Sequence, residues 1–135
     1  MREKANSTSQ PRLRNCIVAV DEDVASVQIL AQFLEREGFV AHVVTDPLTA
    51  LDKAMEVKPD LIILEFFMPK LLGSELAIIL KSDPHLSATP LVFLSAMADR
   101  DHRTIGEMSG AAAYVKKPFQ ESEMLGVIRR LLDRS

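Results

Sequence analysis

Short runs of apolar, largely β-branched residues recur along the chain, and between them apolar positions return at three- and four-residue steps. The first pattern suits strands buried on both faces and the second suits helices with one apolar stripe, so their alternation predicts βαβ units around a parallel sheet. Five rounds are legible. The runs at 16–20, 39–44, 60–64, 91–94 and 112–116 are the expected strands. Val27, Leu30, Ala31 and Leu34 mark a first helix, which Gly38 ends in the left-handed conformation. Asp46 caps a second, with Pro47 in its first turn, and Lys58-Pro59 stops it. The run 75–80 makes a third, halted near Asp83-Pro84. Residues 99–109 form the weakest helical segment, polar, interrupted by Gly106 and anchored only by Ile105 and Met108, so mobility is expected there. The last helix aligns Leu125, Ile128, Leu131 and Leu132 on one stripe. The expectation is an α/β fold of five strands and five helices.

A length of 135 residues suits one domain. Residues 1–14 are polar and read as a flexible tail, with the folded unit over 15–135. A formal charge of -3 lacks the electrostatic footprint of a nucleic-acid binder, and no apolar stretch of about 20 residues is present to cross a membrane. Direct partners among nucleic acids and lipids are therefore not expected. Cys16 is the single cysteine, which fits a reducing cytoplasm and a place in the core at the start of a strand. His42, His85 and His102 have no spacing that suggests metal ligation, and the methionines, Met97 and Met124 among them, read as gap fillers.

Chemistry concentrates at the strand ends. Right-handed crossovers put the carboxyl ends of all strands on one edge of the sheet, where Asp21, Glu22, Glu65, Ser95 and Lys117 should meet. Asp23, beside them, reads as a helix cap. Clustered carboxylates raise one another's pKa and call for a cation, and Mg²⁺ is the hard divalent ion that suits oxygen ligands. With a hydroxyl and an ammonium opposite, the site has the shape of a phosphoryl acceptor.

These motifs, Val20-Asp21-Glu22, Met68-Pro69, Leu94-Ser95-Ala96 and Lys117-Pro118-Phe119, resemble those of the receiver domain of bacterial two-component response regulators. The resemblance covers roughly residues 15–132. It implies the flavodoxin-like, doubly wound fold of the chemotaxis regulator, with strand order 2-1-3-4-5. It also implies metal ligands at Asp21, Glu22, the acceptor position and the backbone carbonyl of Phe67, a switch pair of Ser95 and Tyr114, and a cis bond between Lys117 and Pro118.

The chain departs from the family at the acceptor, where Glu65 stands in place of aspartate. One more methylene moves the carboxylate by roughly 1 Å, and misplacement on that scale can slow an in-line transfer about a hundredfold. Glu65 should instead reach toward Lys117 and Ser95, taking part of the place of an aspartyl phosphate and competing with Mg²⁺. Phe67, two positions on, should crowd the mouth of the pocket, and Lys70 and Leu72 replace the glycine and aspartate common in this loop.

Two functions follow. The first is a non-enzymatic, phosphorylation-independent switch that presents the face of its fourth helix, fifth strand and fifth helix to a protein partner: a histidine kinase, a phosphotransfer protein or an effector. Ala112 and Ala113 make that face locally apolar, so self-association into a homodimer is a further expectation. The second is a conventional receiver that takes a phosphoryl group from a phosphohistidine donor with Mg²⁺ and releases it by hydrolysis. A nucleotide or flavin site finds no support, because no glycine-rich phosphate loop is present.

Overall fold

The structure is a computed structural model, and it describes residues 15–96 and 100–133. The polar tail, Met97 and Asp99 lie outside those residues. Five strands, β1 (Cys16–Val20), β2 (Val40–Val44), β3 (Leu61–Leu64), β4 (Leu91–Ser95) and β5 (Ala113–Lys116), alternate with five helices, α1 (Val24–Arg36), α2 (Ala50–Val57), α3 (Gly73–Ser82), α4 (Arg100–Met108) and α5 (Glu121–Leu132). The strands form one sheet in the order β2-β1-β3-β4-β5, and every pairing is parallel. The doubly wound, flavodoxin-like arrangement that the resemblance implied is therefore present.

Strand periodicity divides the core in two, because successive side chains point to opposite faces. Val18, Val20, Ile62, Leu64, Phe93 and Tyr114 pack with Ala50 and Ala54 of α2 and with Leu76, Ala77 and Leu80 of α3. Ile17, Ala19, Ile63, Val92, Leu94 and Val115 meet Val27, Leu30 and Leu34 of α1 and Met124, Ile128 and Leu131 of α5 on the other side. Cys16 is buried at the start of β1, as expected.

Helix ends follow local chemistry. The Asp23 carboxylate accepts from the Ser26 N–H at 3.2 Å and caps α1, and Gly38, at φ +94°, carries the chain from that helix into β2. Asp46 caps a short 3₁₀ turn over Pro47–Thr49 that leads into α2, and Lys58 ends that helix in the left-handed region just before Pro59.

Two helical faces differ from the sequence expectation. Ile105 and Met108, the expected anchors of α4, are 44% and 82% exposed, whereas Gly106 and the following Ser109 are buried and His102 is half-buried. The reason is that Phe93 and Tyr114 rise from the sheet into the space beside Gly106, so the apolar contact comes from the strands. On α5 the buried stripe is Met124, Ile128 and Leu131, with Leu125 and Leu132 only partly covered. An unbranched methionine fits that place where the expected leucine does not point.

Candidate functional site

Asp21, Glu65 and Lys117 each immediately follow the last residue of a strand, so the parallel ladder brings them to one edge. Val20 is in register with Leu64, and Ser95 with Lys116. The backbone continues this pairing past the strands: Glu65 N–H donates to Val20 O at 2.9 Å and Lys117 N–H to Ser95 O at 2.9 Å.

The side chains then close on one another. Lys117 Nζ donates to Asp21 Oδ2 at 2.6 Å and to Glu65 Oε1 at 2.7 Å. Glu65 Oε2 accepts from the Phe67 N–H at 2.9 Å, and Asp21 Oδ1 from the Asp23 N–H at 2.9 Å. Asp21 and Glu65 are both buried, the latter 8% exposed, and Ser95 is buried beneath the same edge. Burial by itself would lower the pKa of the Lys117 ammonium. The hydrogen bonds and charges of Asp21 and Glu65 outweigh it and hold that pKa above the ordinary lysine value.

Glu22 stands apart from this triad. Its Oε2 accepts from the Lys70 N–H at 3.1 Å, which fastens the loop after β3 to the end of β1. The cavity above the triad has a volume of about 510 Å³ and is bounded by Asp21, Glu22, Glu65, Phe67 and Lys117. Phe67, at 43% exposure, forms one lip, as its position two beyond Glu65 suggested.

A divalent ion would need oxygens converging on one point, and its expected set was Asp21, Glu22, Glu65 and the Phe67 carbonyl. Here an ammonium lies between Asp21 and Glu65, both oxygens of Glu65 are engaged, and Glu22 is turned to a backbone N–H. No three His, Cys, Asp or Glu side chains among the described residues are grouped to hold a metal. As arranged, with the ammonium in the place of a cation, the residues do not fit the ion.

Behind the pocket lies an aromatic cluster that the sequence reading did not single out. Phe66, bonded directly to Glu65, is buried with its ring centroid 5.2 Å from Phe93, 6.0 Å from Tyr114 and 5.6 Å from His102. Phe67 packs on Phe66 at 5.0 Å and on His102 at 5.1 Å. Tyr114 is buried, and the Arg103 guanidinium lies over its ring at 5.6 Å while donating to its carbonyl at 3.3 Å. The signal for Phe66 was available, since a large apolar residue that follows a buried strand belongs in the core. For the Glu22–Lys70 contact there was none. The Lys117–Pro118 bond is cis, as the resemblance implied.

Residues 17–129 match the sequence pattern of the response regulator receiver domain. The chain belongs to that family. Among curated relatives of this receiver, the DNA-binding response regulator MtrA of Mycolicibacterium smegmatis is 34% identical over 123 residues, which cover 91% of this chain and 53% of the relative. The phosphate regulon transcriptional regulatory protein PhoB of Rhizobium meliloti is 32% identical over 119 residues, covering 87% of this chain and 52% of that one. The chain thus spans about half the length of the curated relatives it matches. Among solved structures, the receiver domain of Francisella response regulator 1452 superposes with a TM-score of 0.81 at 27% identity, over 90% of this chain and 98% of that one. Chemotaxis protein CheY4 of Vibrio cholerae gives 0.83 at 24% identity, covering 87% and 98%, and so supports the fold alone. No described helix of this receiver is long and apolar enough to cross a membrane.

Proposed function

We propose that this receiver signals by protein contact, without phosphoryl transfer to Glu65. One observation carries the reading: the Glu65 carboxylate is held at one oxygen by Lys117 and at the other by the Phe67 N–H. An incoming phosphoryl group needs a carboxylate oxygen free to attack in line and an ammonium free to take up the developing charge. Here each group already satisfies the other. Glu65 supplies one of the negative charges and two of the acceptor oxygens that an acyl phosphate would place in the pocket, so it is a partial mimic of that state. The domain itself would then be no enzyme, and control would come from partner binding or abundance.

The face offered to a partner is formed by α4, β5 and α5, where Arg103, Glu107, Ala112, Tyr114, Val127 and Arg130 surround a groove of about 270 Å³. Two arginines beside an alanine floor suit a protein surface with both apolar and acidic groups, whether on a histidine kinase, a phosphotransfer protein, an effector or a second copy of this chain. The DNA-binding activity in the name of MtrA belongs to a protein about twice as long as the matched segment.

The direct test uses beryllofluoride, which mimics a phosphoryl group on a free carboxylate, and follows bound fluoride by ¹⁹F NMR with Mg²⁺ present. The reading requires no bound signal with the natural chain and a bound signal with Glu65→Asp. A bound signal on the natural chain overturns it in favour of a conventional receiver.

A further inference from the structure

We propose that Gly106 is the positioning residue that keeps Tyr114 turned into the sheet, and so keeps the groove between α4, β5 and α5 open. Glycine in the body of a helix needs a reason, because it is the poorest helix former after proline. Backbone conformation is not that reason: among the described glycines only Gly38 and Gly110 have positive φ. Space is. A Cβ at position 106 would stand 3.0 Å from Phe93 Cδ2, 3.1 Å from Tyr114 Cδ2 and 3.3 Å from Phe93 Cε2. Carbon atoms in unstrained contact sit about 3.5–4.0 Å apart, so even a methyl at 106 would require one of the two rings to give by a few tenths of an ångström.

The surroundings leave the rings little room to yield. Phe93 and Tyr114 lie 5.8 Å apart and Phe66 backs both, at 5.2 and 6.0 Å. Phe93 is fully buried in β4, whereas Tyr114 is 9% exposed and borders the groove. Of the two, only Tyr114 has open space beside it. A side chain at 106 would therefore press the tyrosine toward the groove that Arg103 and Arg130 flank. In the natural chain the ring stays in. This places the setting of the α4–β5–α5 face in apolar packing next to α4, at a distance from the charges of Glu65 and Lys117, and it holds whether or not the pocket accepts phosphate.

Tyr114 is the only tyrosine and the chain has no tryptophan, so intrinsic fluorescence and its quenching by acrylamide report this one ring. In the natural chain quenching should be weak. Gly106→Ala should raise it measurably while far-UV circular dichroism is unchanged, because alanine favours the helix. Adding Phe93→Leu should restore weak quenching by giving the ring room beside the new methyl. Glu65→Ala, by contrast, should leave quenching weak. Folded Gly106→Ala with quenching equal to the natural chain overturns the proposal, since α4 would then have yielded in place of the ring. Strong quenching in Glu65→Ala overturns it as well, because the pocket would then hold the ring; this arm is read even if Gly106→Ala does not fold.

Discussion

Lys117 reaches from the end of β5 across β4 to Glu65 at the end of β3, and Nζ lies 2.7 Å from Oε1. The same ammonium is 2.6 Å from Asp21 Oδ2, so one cation serves two buried carboxylates. The pairing offsets one of the two negative charges that the pocket would otherwise hold unpaired.

Removing the ammonium should therefore be costly. Lys117→Gln leaves two buried carboxylates facing each other without their cation, and breaking a buried pair in this way destabilises by about 3 kcal/mol. Chemical denaturation should show that loss. Mg²⁺ should then raise the melting temperature of the variant and leave that of the natural chain unchanged; equal stabilisation of both would mean that the ammonium does not fill the cation's place.

The two partly buried lysines should affect alkaline stability in opposite senses. Lys117 has its folded pKa raised above the unfolded value of 10.5, so its contribution is complete below that value and disappears as pH climbs through the higher folded pKa. Lys81 donates to Thr89 O at 2.7 Å, and its folded pKa is lowered by burial. Between that lowered value and 10.5 the unfolded chain binds more protons at Lys81 than the folded one, so stability attributable to Lys81 rises with pH there. Melting temperatures from pH 8 upward should show Lys117→Gln abolishing the loss above the lysine range, and Lys81→Met flattening the rise below it.

Gly73 should be close to irreplaceable. Its N–H donates to Phe66 O at 2.7 Å, and a Cβ there would stand 2.8 Å from Phe66 Cα and press directly on Glu65 O. Those are backbone atoms at the site itself and cannot swing aside. Gly73→Ala should lose about 3 kcal/mol, the upper end for overpacking a core, and should shift the backbone amide resonances of Glu65 and Phe67. An alanine variant as stable as the natural chain would contradict the close approach.

Arg36 and Glu121 give the opposite case. Their ion pair measures 2.6 Å, yet both side chains are more than half exposed. Surface pairs of this kind contribute about 0–1 kcal/mol, so Glu121→Gln should leave the denaturation midpoint nearly unmoved.

Much of this was legible before any coordinates. Unbroken apolar runs such as 61–64 gave away central parallel strands, Asp23 and Asp46 announced the helix starts, and Gly38 a helix end. The edge of the sheet carrying Asp21, Glu65 and Lys117 followed from the handedness of the crossovers alone. What stayed hidden depended on tertiary contact. The sequence of α4 offers only its own apolar residues, Ile105 and Met108, as anchors, but it is Phe93 and Tyr114 that supply the apolar surface, through the gap at Gly106. The link from Asp21 to Lys117 and the turning of Glu22 to the Lys70 N–H hinge on distances of a few tenths of an ångström that no residue pattern encodes.

The measurement that bears most directly on the closed pocket is intact mass after incubation with Mg²⁺ and a small acyl-phosphate donor, for the natural chain and for Glu65→Asp. A natural chain of unchanged mass beside an aspartate variant that gains one phosphoryl group is the predicted result. A phosphoryl group on the natural chain would contradict the claim that Glu65 and Lys117 hold the site shut.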